Sequence, residues 1–441
     1  MSSRDEVRKP HVRGSQVFRK ERQPELFPVS VEDLLPEKDL SRLIRSAIDE
    51  LDASSLRSLY GEIGGVAYDP LCLLGVLLLG YGLGVTGSRE LQARCQFDVR
   101  FMHVARGTQP DDRTICRFRR RIAPMADQLF CEVLALCAKA GLAPMRRVAV
   151  DGSKLASASS QLGQWMNRND KVDKEFMGDE IRSSDPDARI LHTSKGAVLG
   201  YNVQACVDVD THLVLAVDVV DAGCDRSSLA PMLELTQAVT GWSPEEVVAD
   251  TGYDSHEAYS ACHEAGVDVY VPPQNSDVLF WTVVSENEVV CPLGHPALPA
   301  KKRKSHGALS DTYQVRACKT CAFALGCLGE QTTRSIVLPR GNNPTLRVLA
   351  AHRARSPEGQ IARVERMSSV ETLFGRIKSN LRMRRFKLRG MNGARLEITL
   401  TAISQNLRAL HRTRLLNLRS LSVTYRYLLQ LFAMDHKPNI L

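Results

Sequence analysis

Three acids in this 441-residue chain sit where chemistry could be done: Asp151 after the apolar run Val148-Ala-Val150, Asp250 after Glu246-Val-Val-Ala249, and Glu371 at the head of a helical apolar pattern. Short apolar runs of this kind read as buried strands, and the C-terminal edge of strands in an α/β sheet is where ligands gather. Carboxylates converging there offer hard oxygen donors suited to Mg2+ or Mn2+. Two such ions roughly 3.5–4 Å apart activate an attacking oxygen and stabilise a leaving one, the chemistry of displacement at phosphorus. Each acid also has a structural reading. An aspartate at a strand end caps a turn, and Ser368-Ser-Val-Glu371 fits a capping box, in which the glutamate only satisfies a free amide.

No convincing Ser-His-Asp or Cys-His arrangement suggests a protein nucleophile. Cys291, Cys318, Cys321 and Cys327 have spacings that could close a structural Zn2+ site, or they are reduced thiols. Cys206, Cys224, Cys262 and the five cysteines before residue 140 lack ligand spacing and are expected to pack in the core. With no charged-then-apolar leader, thiols in a reducing cytoplasm are the expectation. The longest apolar run, Leu71 to Leu83, is interrupted by Gly75, Gly80 and Gly82 and is too short for a bilayer, so no membrane span is expected.

The elements that must position the acids follow from periodicity. After a basic tail (1–29), residues 30–145 read as helical, with Asp69 and Pro70 opening an apolar helix and further helices near Ser88 and Asp111 or Asp112. The last of these carries Arg113, Arg117, Arg119, Arg120 and Arg121, a cationic face for DNA or for solvent. From 146 to 273 the order is strand, hairpin, helix, strand, helix, strand, with Tyr201 to Val209 alternating as a half-buried strand. Residues 274–350 break the rhythm and read as an inserted Cys-containing module. Residues 351–415 return to helix, with Val370, Leu373, Phe374, Ile377 and Leu381 at helical spacing, and 416–441 form a tail. The class is α/β: a mixed sheet flanked by helices, behind an all-helical N-terminal domain.

Charge is uneven. The net charge is +8, yet residues 353 to 414 alone hold fifteen Arg or Lys against four acids. Arg376, Lys378, Arg382, Arg384, Arg385, Lys387 and Arg389 crowd just after Glu371 with no interleaved acids, a pattern that favours a phosphate-binding track on a basic helix.

Val150-Asp-Gly-Ser-Lys154, Gly200-Tyr-Asn-Val-Gln204, Ala249-Asp-Thr-Gly-Tyr-Asp254 and Val370-Glu-Thr-Leu-Phe-Gly-Arg-Ile-Lys378 together resemble insertion-sequence transposases of the DDE class. The N-terminal Ala67-Tyr-Asp-Pro70, Ser88-Arg-Glu90 and Pro110-Asp-Asp-Arg-Thr-Ile115 resemble the helical domain that precedes the catalytic core there, so the likeness runs from about residue 30 to 410. It implies a ribonuclease-H-like core with Asp151, Asp250 and Glu371 holding two Mg2+ or Mn2+ ions. In its Tyr-Arg-Glu-Lys constellation, Arg366 stands for the arginine, Lys378 for the lysine, and Arg363 occupies the tyrosine position. The partners implied are double-stranded DNA, as terminal inverted repeats and target, with a homodimer or higher assembly on the DNA. Readings left open are a metal-dependent nuclease on the same fold and an inactive DNA-binding regulator.

Overall fold

The computed structural model describes residues 30–60, 67–144, 146–159, 185–193, 196–220, 223–285, 288–300, 303–305, 308–328, 331–339 and 344–415. The basic tail 1–29 and the tail 416–441 lie outside the described residues. Before the first strand come α1 (Leu40–Asp49), α2 (Ala53–Ser58), α3 (Pro70–Leu83), α4 (Ser88–Phe97), α5 (Val99–Val104), α6 (Asp112–Arg121) and α7 (Ala126–Lys139). Helix α3 begins as its sequence dictates: the Asp69 carboxylate accepts the Leu71 amide at 3.0 Å and Pro70 occupies the first turn, where its missing N–H costs nothing. Nearly every α3 side chain is buried, which explains why its apolar residues surround the helix instead of forming a stripe. Among the described residues, no single helix is long and apolar enough to cross a membrane.

The central sheet is built from β1 (Arg147–Ala156), β2 (Arg189–Thr193), β3 (Gly196–Asp208), β4 (Val214–Val220), β5 (Glu246–Val248) and β6 (Asp268–Tyr270). Its order is β2-β3-β1-β5-β6, with β4 also on β3. β1 runs antiparallel to β3 and parallel to β5, and β5 parallel to β6. The parallel connections carry α8 (Leu229–Thr240) and α9 (His256–Glu264). The sheet is therefore mixed, in an α/β architecture behind a helical N-terminal part.

Two strand expectations are corrected. β1 does not stop at Val150 but continues to Ala156, because β3 offers it register partners as far as Gly200. β3 is not half-buried: Asn202, Gln204, Cys206 and Asp208 are as enclosed as the valines between them, because helices cover both faces of the sheet. Each buried polar side chain must then find a partner.

Residues 274–350 hold small sheets of β7 (Thr282–Ser285) with β8 (Glu288–Val290), and of β9 (Leu298–Pro299), β10 (Arg303–Ser305), β11 (Ala308–Gln314) and β12 (Ser335–Pro339), with the short α10 (Ala324–Leu328) before β12. They share a second, smaller core that includes Trp281, Val289, Cys291, Cys318 and Ile336. Helix α11 (Pro344–Arg355) spans residue 350. It gives Val348 and Ala351 to that core while Arg347 pairs with Asp254 of the central domain at 3.0 Å.

Helix α12 (Pro357–Arg366), capped by Ser356 on the Gly359 amide at 3.1 Å, runs without a break into a π-helical turn (Met367–Glu371), α13 (Thr372–Gly375) and a second π-helical turn (Arg376–Asn380). Glu371 is thus mid-helix, and the capping-box reading fails: Ser368 instead donates to the Glu365 carbonyl at 3.0 Å. The basic helix expected downstream is also corrected. The chain leaves the helix after Asn380, and Arg382, Arg384, Arg385 and Arg389 lie on an irregular segment that pairs with the end of β1: the Ala156 amide donates to Arg384 O at 3.1 Å and the Phe386 amide to Ala156 O at 2.9 Å.

Helix α14 (Met391–Leu415) joins everything. The Asn406 amide accepts from Val214 N at 2.8 Å and donates to Val214 O at 2.9 Å, Ser404 donates to Leu78 O at 2.8 Å, and Arg408 to Gly82 O at 2.6 Å. One core therefore runs from α1 through the sheet to α14.

Glu397 on α14 is fully buried and accepts the Lys387 and Leu388 amides at 2.9 and 2.5 Å, pinning the irregular segment. Burial pushes its carboxyl up to about 7 from an ordinary 4.5. The folded state thus holds this proton more tightly than the unfolded chain. The contribution is complete below pH 4.5 and is lost as pH rises to about 7. Urea unfolding of Glu397→Gln and the parent across pH 4–8 should show the variant gaining relative stability through that window, by roughly 3 kcal/mol, and then levelling off.

Candidate active site

Asp151 lies in the middle of β1, opposite Ala205 of β3. On its other side β1 pairs with β5 only as far as Ala149 opposite Val248. Two residues further along each parallel strand come Asp151 and Asp250, so the two aspartates sit level where β5 has ended and β1 continues. Asp250 opens a one-turn 3-10 helix (Thr251–Tyr253) and accepts the Gly252 amide at 2.8 Å, so the turn-capping role read for it is real and fixes its carboxylate.

Glu371 reaches the same edge from the helix that packs on β1 and β3. Arg366 joins it to the strand: one guanidinium nitrogen is 3.4 Å from Asp151 Oδ2 and another 2.5 Å from Glu371 Oε1. On an α-helix, residues five apart point about 140° away from each other. The π-helical turn, with its i→i+5 bonding, brings Arg366 and Glu371 onto one face.

Burial is the largest influence on Asp151 and pushes its carboxyl up to about 7. Arg366 and the Gly152 amide, 2.8 Å from Asp151 Oδ1, pull in the other direction, while the charges of Asp250 and Glu371 add to the rise. Asp151 therefore feels the charge of both other acids. Among the described residues, however, no three His, Cys, Asp or Glu side chains are grouped tightly enough to hold a metal ion. At this edge Arg366 stands between Asp151 and Glu371, paired with both.

Arg147 clamps this arrangement from below. It bonds Glu246 at the start of β5 at 2.6 Å, pairs with Glu365 next to Arg366, and stacks on the Tyr270 ring at 5.2 Å. Asp254 fastens the far side, accepting from Tyr259 and from the Gln274 amide, both at 2.8 Å.

Of the expected DNA-binding residues, Arg363, Arg382, Arg384, Arg385 and Arg389 are exposed and Lys378 is half-buried. Arg384 and Arg385 are steadied by the carbonyls of Lys378 and Ser159 at 3.2 and 3.1 Å. Arg117 and Arg120 are exposed on α6, within the helical part of the chain. The expected cationic face of α6 is smaller than its arginine count: Arg119 turns inward to Thr86 O at 2.7 Å and to the Tyr81 ring, and Arg121 covers Tyr60.

Cys291, Cys318, Cys321 and Cys327 are not gathered as a zinc site. Cys291 and Cys318 are consumed as apolar packing in the second core, where Cys318 Sγ accepts the Arg334 amide at 3.5 Å. Cys224, expected in the core, is exposed.

Sequence reasoning missed one set of residues. Asn202 and Gln204 both donate to Oδ1 of Asp225, at 2.8 and 2.7 Å, and Tyr253 donates to Gln204 Oε1. The signal was two amide side chains inside a run of small apolar residues, which only a buried partner explains.

Residues 290–411, which include Glu371 and the four cysteines, match the family model described as Transposase DDE domain, and residues 29–121 match the one described as Transposase domain (DUF772). No curated protein matches the chain. The structure has a likeness to piggyBac transposase in a synaptic complex with hairpin DNA, at 9% identity and a TM-score of 0.34, covering 91% of this chain and 85% of that one. Models of transposase domains therefore match both the helical N-terminal part and the C-terminal part of the chain.

Proposed function

We propose that this chain is a transposase of the DDE class that cuts DNA at the ends of its own insertion sequence and joins the freed ends to target DNA, with Asp151, Asp250 and Glu371 as its metal-holding acids on a ribonuclease-H-like core. The observation that carries the reading is Arg366 bridging Asp151 and Glu371 beside Asp250. A cation already stands where three negative charges converge.

Transposase DDE domains generally use divalent metal ions. The residues fit such ions by their chemistry: the donors are hard carboxylate oxygens, held on a strand, a capped turn and a helix, and the charge they demand is met by a guanidinium. Two Mg2+ or Mn2+ ions there would activate the attacking oxygen and stabilise the leaving one. The chain's own work is positional. Arg366 and Lys378 hold the reacting phosphate, Arg363 serves as a further cation where the family has a tyrosine, and Arg382, Arg384, Arg385 and Arg389 follow the DNA backbone, with Arg117 and Arg120 touching it elsewhere. In the first step a water oxygen bonds to phosphorus as the bond to the 3′ oxygen breaks, leaving a 3′-hydroxyl. In the second, that hydroxyl attacks a target phosphate and displaces its 3′ oxygen. Bringing the two ends of the element together calls for a dimer or larger assembly acting on DNA in the cytoplasm. The buried cysteines of the 274–350 region serve packing.

Asp151→Asn and Glu371→Gln should each reduce 3′-end nicking and strand transfer to background on DNA carrying the element's ends while gel-shift affinity persists. Retained joining in either variant would refute the assignment. Arg363→Ala should weaken binding on every sequence alike and flatten the slope of log affinity against log salt by about 0.9, the signature of one lost phosphate contact. An unchanged slope would remove Arg363 from the DNA path.

A further inference from the structure

Gly152 and Gln204 are directly opposed in the antiparallel pair of β1 and β3, so their side-chain directions share a face. Asp151, the next residue, points to the opposite face. The face bearing Gln204 is crowded. A Cβ on Gly152 would fall 2.4 Å from both Asp225 Oδ1 and Gln204 Nε2, and a Cβ on Gly252 would fall 2.9 Å from Asp250 Oδ1 and 3.7 Å from Asp225 Oδ2. Asp225 therefore sits under the two chain segments that carry the catalytic aspartates, on the side away from Glu371.

Its hydrogen bonds form one continuous tie. Asn202 and Gln204, 1% and 0% exposed, give their amide hydrogens to Asp225 Oδ1, and Gln204 also donates to Asn202 Oδ1 at 3.2 Å. With its nitrogen so committed, Gln204 can present only its oxygen to Tyr253, whose hydroxyl donates to it. Tyr253 ends the turn that Asp250 opens. The tie thus runs from the turn of Asp250 to the strand position facing Gly152, with both ends buried.

We propose that Asp225, Gln204 and Tyr253 form a positioning device that sets the separation of Asp151 and Asp250, so that the metal-holding geometry depends on three residues that touch neither metal nor DNA. The inference rests on the metal-site reading above. Residues that orient ligands from behind are worth about 10- to 100-fold in metal affinity. A residue that only stabilises the fold lowers the unfolding midpoint and leaves that affinity alone.

The test is Mn2+ titration of the DNA-free, full-length protein, followed by electron paramagnetic resonance, with thermal unfolding measured alongside. Tyr253→Phe removes one hydroxyl and Asp225→Ala removes the acceptor; each should weaken Mn2+ binding by about 10- to 100-fold. Asp225→Asn keeps an oxygen for Asn202 and Gln204 and should restore most of the affinity lost in Asp225→Ala. Wild-type affinity in Tyr253→Phe and Asp225→Ala, with Asp151→Asn impaired, overturns the tie and leaves the metal site standing. A loss in Asp225→Asn as large as in Asp225→Ala also overturns it, since charge and not the tie would then matter. Unimpaired binding by Asp151→Asn refutes the metal-site reading itself and this inference with it.

Discussion

Carboxylates withdrawn from water and set beside one another need compensating positive charge or protons, because each uncompensated ion costs on the order of several kcal/mol. That constraint organises the sheet edge where Asp151, Asp250 and Glu371 meet. Arg366 answers it directly by pairing with Asp151 and Glu371, and the tendency of Asp151 to retain a proton answers the remainder. A guanidinium in that place keeps the acids near each other while denying them a common centre. Under the reading proposed above, substrate phosphate and divalent cation would have to draw Arg366 off its carboxylates, which would link assembly of the site to arrival of the DNA.

The clamp at Arg147 shows how far the fold is bent to this purpose. An arginine at the foot of β1 pairs with Glu246 and Glu365, the latter one residue before Arg366. A buried pair of this sort adds little net stability compared with apolar packing, but losing one partner strands the other. Its value here is orientation: strand and helix cannot slide past each other without separating those charges.

Much of this was legible in the chain. Asp151 and Asp250 were marked by short apolar runs, and Asp69 with Pro70 announced α3. Other features were hidden for physical reasons. The alternation of β3 suggested a wet face because Asn202 and Gln204 are polar, and only the tertiary structure supplies Asp225 as their partner. The helix of Glu371 was read as starting at Ser368, since local capping chemistry cannot reveal that an earlier helix from Pro357 runs through. The run of arginines after Asn380 looked helical by composition, but the chain there is claimed by hydrogen bonds to Ala156, more than two hundred residues away in sequence.

The π-helical turn at Met367–Glu371 holds one residue more than an α-helix needs to cover the same rise. Losing a single residue there would leave an ordinary, comfortable helix with its ends still joined to the same neighbours. The protein would fold, and the turn as a unit of secondary structure would be improved. Arg366 and the glutamate would then be four apart, about 40° from each other on an α-helix, and would still share a face. What would part them is straightening the present five-residue span into α-helix, which sets them about 140° apart: the wide turn is what lets this length of chain keep the pair.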